Sequence, residues 1–247
     1  MRKRIFMISF SILTLPAFIL ITECSVGEKS VTFANKSLTD NWKMQASDKL
    51  ADIPEERISV VGFDDTDWLR ASVPGTVLGS LAIFNVIEDP GFGINMQKID
   101  PLQFRQPWWF RTNFILSDKD MGKNVSLHFN GINYRADLWV NGRKIADKEE
   151  FAGTYRMFTF NIDDCKKAGE NTIALKIWPF ADGEYSMGFV DWNPLPLDRN
   201  LGIFREVFLE INEGIKIRSS FVYSKVKQEN TAELFIKTEL INSSGKE

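Results

Sequence analysis

Histidine and cysteine are scarce in this 247-residue chain, which has one His and two Cys, at His128, Cys24 and Cys165. A His-containing catalytic triad or a His/Cys metal centre needs several such groups brought together, so the composition argues against both. No metal and no cofactor are expected. If the first residues are removed on export, Cys165 is the sole remaining thiol. The fold must then be held by its core and not by an intrachain disulfide. Positive charge is not in excess either: 30 Lys and Arg against 33 Asp and Glu leave a net charge of -3. Such a chain carries no electrostatic footprint for a polyanion, so no nucleic-acid partner is expected. Long amphipathic helical patterns are absent as well. What is abundant is aromatic side chains, 13% of the sequence with 20 Phe and 7 Trp, which suits a β-rich core or a sugar-facing surface.

The chain opens on Arg2, Lys3 and Arg4, followed by an apolar run over 5–21 broken only by Ser, Thr and Pro16. This pattern reads as an export signal over residues 1–24. The alternative is a membrane-spanning anchor, against which stand the proline and the marginal length of the run. Cys24 follows the run directly and is a candidate lipidation site, although Glu23 occupies a place where such sites usually carry a small residue. The expected location is therefore periplasmic, extracellular or lipid-anchored at an outer membrane surface, with a linker over 25–38.

From about Thr39 onward apolar residues alternate with polar ones in short runs separated by turn residues, the signature of an all-β domain. Val125, Leu127 and Phe129 define one face of a strand, and Ser126 and His128 the other, which makes His128 a strand-surface residue. Leu138 to Val140 runs into Asn141-Gly142, a pair that supplies the positive φ angles of a type I′ hairpin turn. Further strands are expected at 157–162, 172–178 and 206–211. Residues 77–84 read as a short helix with Leu78 and Leu81 on one face. Trp108 and Trp109 are strand neighbours that face opposite ways, so at most one is expected in the core. After about Gly214 two more strands follow, near 221–226 and 232–241. Two strands alone cannot bury a core, so residues 216–247 read as the truncated start of a second β domain.

The segment 182–202 is rich in Gly, Pro, Asp, Asn and aromatics; a loop of that length in a compact domain is usually functional or disordered, and the aromatic content argues against disorder. Within it, Asp191 beside Trp192 offers an aromatic face for a sugar ring and a carboxylate for its hydroxyls. The competing reading is that Trp192 plugs the sandwich end and Asp191 caps a turn. The Glu149-Glu150 pair is no catalytic dyad, because adjacent carboxylates on a strand face opposite ways and on a loop are usually solvated.

Three runs carry a resemblance: Val73-Pro74-Gly75-Thr76-Val77-Leu78, Asp89 to Asn95 (DPGFGIN) and Gln103 to Arg111 (QFRQPWWFR). Together with Asn130 to Gly142 (NGINYRADLWVNG) and the loop from Val190 to Arg205, they resemble the sugar-binding domain that opens glycoside hydrolase family 2 enzymes. The resemblance covers roughly residues 40–215 and most resembles exo-β-D-glucosaminidases, with β-mannosidases close behind. It implies a jelly-roll (galactose-binding-like) β-sandwich over 39–215, the truncated start of an immunoglobulin-like β-sandwich after it, and then a barrel with two catalytic glutamates. A retaining mechanism requires two carboxyl groups about 5 Å apart. The resemblance places both beyond Glu247, so this chain alone is expected to be inactive, with no catalytic residue of its own. Asp191, Trp192 and, third, Asn193 are the implied substrate residues. The implied partners are the non-reducing end of an oligosaccharide or polysaccharide and the missing carboxy-terminal catalytic domain. The competing classes are a free-standing carbohydrate-binding module and a plain interaction domain.

Overall fold

The computed structural model describes residues 3–10, 34–186, 196–228 and 231–242. The strands in chain order are β1 (Lys3–Phe10), β2 (Ala34–Ser37), β3 (Lys43–Ala46), β4 (Leu69–Arg70), β5 (Gly75–Thr76), β6 (Trp108–Leu116), β7 (Asn124–Phe129) and β8 (Arg135–Val140). They continue with β9 (Arg143–Ala146), β10 (Phe158–Asn161), β11 (Gly169–Trp178), β12 (Gly202–Ile203), β13 (Val207–Asn212), β14 (Ile215–Gln228) and β15 (Thr231–Asn242). Two short helices, α1 (Glu55–Ile58) and α2 (Val77–Ile83), complete the regular structure together with a few 3₁₀ turns. The protein is all-β, as the alternation predicts.

The chain divides into two compact units, one of which is Ala34–Ile211. In it a six-stranded sheet, ordered β4-β3-β6-β11-β8-β9, and a four-stranded sheet, ordered β10-β7-β13-β2, enclose one apolar core. Period-two alternation decides which side chains enter it. From β7, Val125, Leu127 and Phe129 are buried, and from β13, Val207, Leu209 and Ile211. Even positions of β8 (Ala136, Leu138, Val140) and odd positions of β11 (Ile173, Leu175, Ile177) meet them from the other sheet. The Asn141-Gly142 turn has φ angles of 52° and 84° and joins β8 to β9. This is the jelly-roll sandwich that the resemblance implies.

The expectation for Trp108 and Trp109 is overturned: both are buried, at 3% and 1% exposure. They do face opposite ways, but the outer face of the six-stranded sheet is itself covered. Leu50, Ile58 and Trp68 pack there on Trp109, Trp139 and Ala174 as a second, smaller core. The indole rings of Trp109 and Trp139 lie 5.0 Å apart. Arg111 holds this cover in place, donating from Nε to the Ile58 carbonyl and from Nη2 to that of Val60, each at 3.0 Å. It also pairs with Asp65, which accepts in addition from Lys43 at 2.6 Å. Burial pulls the Arg111 pKa down, and Asp65 partly offsets this. Where the cover ends, the outward residues of β6, Asn113 and Ile115, are exposed.

In the second unit β14 lies between residues 215 and 228, antiparallel to β15. Lys3–Phe10, which joins the basic start of the chain to the first residues of the apolar run, forms a third strand antiparallel to β15 on its other edge. Many apolar side chains of β14 and β15 are exposed, Phe221 at 60% and Val226 at 80% among them. Among the described residues no helix is long and apolar enough to cross a membrane. Cys24 lies outside the described residues.

Candidate functional site at the end of the sandwich

The segment flagged for sugar recognition leaves β11 after Trp178 and returns to β12 at Gly202. Asp191, Trp192 and Asn193 themselves lie outside the described residues. Both arms that carry them are described, Pro179 to Ser186 on the way out and Pro196 to Gly202 on the way back.

The outgoing arm is held by charge. Glu184 pairs with Arg135 at the start of β8. Its other carboxylate oxygen accepts from the Ala181 amide at 2.6 Å, closing a turn. The Arg135 guanidinium also lies 5.2 Å from the Tyr134 ring centroid. Tyr185 projects beyond this turn, 83% exposed, with its ring 5.5 Å from that of Tyr155, which is 61% exposed. Deeper down, Trp178 donates from its indole nitrogen to Asp137 at 2.9 Å. Asp137 also accepts from Lys144, and this bond holds the Lys144 pKa above its ordinary value.

The return arm is held by buried hydrogen bonds. Asp198, 1% exposed, accepts from the Leu78 amide in the first turn of α2 at 2.9 Å, and from the Asn200 amide at 3.0 Å. Thr76 is the N-cap of that helix, its hydroxyl accepting from the Gly79 amide. Arg199 donates to the Phe180 carbonyl at 3.1 Å and pairs with Asp182, tying the return arm to the outgoing one. Asn133, also 1% exposed, donates from its side chain to the carbonyls of Arg199 and Asn200. At the bottom β12 pairs with β5 so closely that a Cβ on Gly202 would lie 2.5 Å from the Gly75 carbonyl oxygen. Glycine is required there by this approach. The Phe204 ring covers Gly131 in the same way, 2.7 Å from where a Cβ would stand. Arg205 is exposed beside Phe204, and the guanidinium that ties the two arms together is that of Arg199.

Residues 87–103, which include the Asp89 to Asn95 run, form a groove of about 370 Å³ lined by Ile87, Glu88, Asn95, Lys98, Asp100 and Gln103 among others. His128 points away from the core, as the alternation requires, yet it is stacked on Phe208 at 4.6 Å and lies 3.3 Å from Glu210. Glu149 and Glu150 serve a turn: their amides donate to Asp147 and lower its pKa. Among the described residues no three His, Cys, Asp or Glu converge as metal ligands.

The supporting roles of Asn133 and Asp198 were not read from the sequence. Their only signal was membership of the Asn130 to Gly142 and Val190 to Arg205 runs.

Comparison with known proteins agrees with this architecture. The family described as glycosyl hydrolase 2 galactose-binding domain-like matches residues 42–182. An exo-β-D-glucosaminidase of Amycolatopsis orientalis is 32% identical over 212 residues, which is 85% of this chain and 20% of the relative. A mannosylglycoprotein endo-β-mannosidase of Lilium longiflorum is 30% identical over 202 residues, 66% of this chain and 21% of its own. The crystal structure of the Amycolatopsis orientalis exo-chitosanase CsxA superimposes with a TM-score of 0.79 at 30% identity, over 86% of this chain and 25% of that one. The sandwich is thus of the galactose-binding-like type found in glycosyl hydrolase 2 proteins. The chain belongs to glycoside hydrolase family 2. It spans about a fifth to a quarter of the length of these relatives.

Proposed function

We propose that this chain is the amino-terminal recognition end of a retaining exo-β-glycosidase of the exo-β-D-glucosaminidase type, hydrolysing terminal β-linked sugars. The observation that carries the reading is 32% identity to an exo-β-D-glucosaminidase over 85% of the chain, a span that includes the sandwich. In this reading Asp191 accepts from hydroxyl or ammonium groups of the terminal sugar, Trp192 covers a ring face, and Asn193 adds a further polar contact. The catalytic glutamates belong to a carboxy-terminal domain, and the sandwich supplies one wall of the pocket. The protein acts after export, directed by residues 1–24 or anchored through a lipid on Cys24.

The test is a polypeptide that joins this sandwich to its catalytic domain, assayed on chromogenic β-glycosides. A higher kcat/KM on the β-D-glucosaminide than on the β-D-mannoside and β-D-galactoside supports the assignment. Preference for the mannoside moves the protein to the β-mannosidase type. The module reading is tested on this chain alone: calorimetric titration with glucosamine oligomers giving millimolar or tighter binding, lost in Asp191→Ala, favours a non-catalytic carbohydrate-binding module.

A further inference from the structure

We propose that Asn133 is a positioning residue, whose side-chain amide latches the return arm and so sets where the substrate loop starts from the sandwich. The inference rests on the reading of that loop as substrate-binding. Its basis is a set of contacts converging on one buried residue. The Thr154 hydroxyl donates to Asn133 Oδ1 at 2.6 Å, which fixes the orientation of the amide. The Nδ2 group then has one direction to face, and it meets the carbonyls of Arg199 at 2.8 Å and Asn200 at 3.2 Å. The backbone of Asn133 exchanges both of its hydrogen bonds with Gly202, at 2.9 and 3.1 Å. One residue thereby joins the 130–134 turn, the 152–156 turn and the return arm.

The conformation of the arm explains why a latch is needed. Arg199 and Asn200 are consecutive residues with left-handed φ angles of 51° and 55°. Non-glycine residues visit that region singly and at a cost, so two in succession persist only where the surroundings hold them. Their carbonyls are the pair that the Asn133 amide captures. The two sheets are knit by backbone ladders and by the apolar core, neither of which uses this amide. Weakening it should therefore release the arm before the sandwich.

Asn133→Asp keeps the acceptor for Thr154 and turns a second oxygen onto two carbonyls. Thr154→Val removes the orienting donor, and Thr154→Ser retains it. Hydrogen exchange on the 247-residue chain is expected to speed up at the Leu201 and Gly202 amides at least about tenfold in the first two variants, with the β8–β11 amides unchanged and Thr154→Ser native. In a polypeptide with the catalytic domain attached, the same variants should raise KM severalfold with kcat nearly kept. Thr154→Val carries the test alone if Asn133→Asp does not fold. Arm and sheet amides accelerating by one common factor, or native exchange of the arm in both variants, would overturn the proposal. The two readings fail separately. If the arm loosens but Asp191→Ala leaves kcat/KM unchanged, the latch stands and the substrate loop falls. A lowered kcat/KM in Asp191→Ala beside a native arm and native KM in Asn133→Asp has the reverse meaning.

Discussion

Arg111→Met should uncover the outer face of the six-stranded sheet. The guanidinium is 3% exposed and makes three contacts to the 47–68 cover: the Ile58 carbonyl, the Val60 carbonyl and the Asp65 carboxylate. Methionine fills much of the same volume but satisfies none of them. Removing one partner of a buried, hydrogen-bonded ion pair typically costs about 3–5 kcal/mol. Here the lower end applies, because Asp65 is 18% exposed and keeps Lys43 as a partner. With a urea m-value of about 2 kcal/mol/M, a loss of about 3 kcal/mol lowers the midpoint by about 1.5 M. Tryptophan fluorescence is the assay, since all seven Trp belong to the 34–211 part of the sequence and Trp109 and Trp139 lie beneath the cover. Asp65→Asn should also destabilise, leaving a buried cation with only carbonyl partners. The double variant should lose clearly less than the sum of the two single losses. A midpoint shift below about 0.3 M in Arg111→Met, or strictly additive losses, would refute the claim that this pair holds the cover.

Other outcomes follow from the same contacts. Gly202→Ala places a methyl group against the Gly75 carbonyl and Thr76 Cα, and should cost about 2 kcal/mol or more by urea melting. Cys165 is half-buried, donates to the Ile162 carbonyl and has its thiol pKa raised by burial. Iodoacetamide at pH 8.5 should therefore modify it several times more slowly than a free thiol, and equally fast after denaturation. Asp120 accepts from the Ser117 hydroxyl and amide, and its pKa lies below the carboxylate value of 3.8. A depressed folded pKa contributes stability that is present above the unfolded value and is lost as pH falls through the folded one. Asp120→Asn should thus be less stable than the native chain at pH 6, with the difference shrinking below about pH 4. A gap that persists unchanged at pH 2 contradicts the assignment.

Much of the sandwich was legible because period-two alternation is imposed by the strand itself. The faces of β7 and β13 and the Asn-Gly hairpin follow from residue types a few positions apart. The second layer was not legible, because covering Trp109 depends on Leu50, Ile58 and Trp68, which lie 41 to 59 positions away in sequence. The site divides in the same way. A loop rich in aromatics and carboxylates announces itself, and the family resemblance singles out Asp191 within it as the proposed substrate residue. The buried groups that hold its arms do not announce themselves. Asn133 reaches Arg199 across 66 positions and Asp198 reaches Leu78 across 120. An Asn or Asp in a turn looks the same whether it caps its own backbone or latches a distant one.

Substitution at Asp191 tests the central claim most directly. With the sandwich joined to its catalytic domain, steady-state hydrolysis of a chromogenic β-D-glucosaminide should fall in kcat/KM by about tenfold to a hundredfold in Asp191→Ala, the range expected for losing a charge-assisted hydrogen bond. Circular dichroism and the urea midpoint should stay native. A kcat/KM equal to that of the parent enzyme would contradict the account and leave the sandwich a structural neighbour of the active site with no hand in recognition.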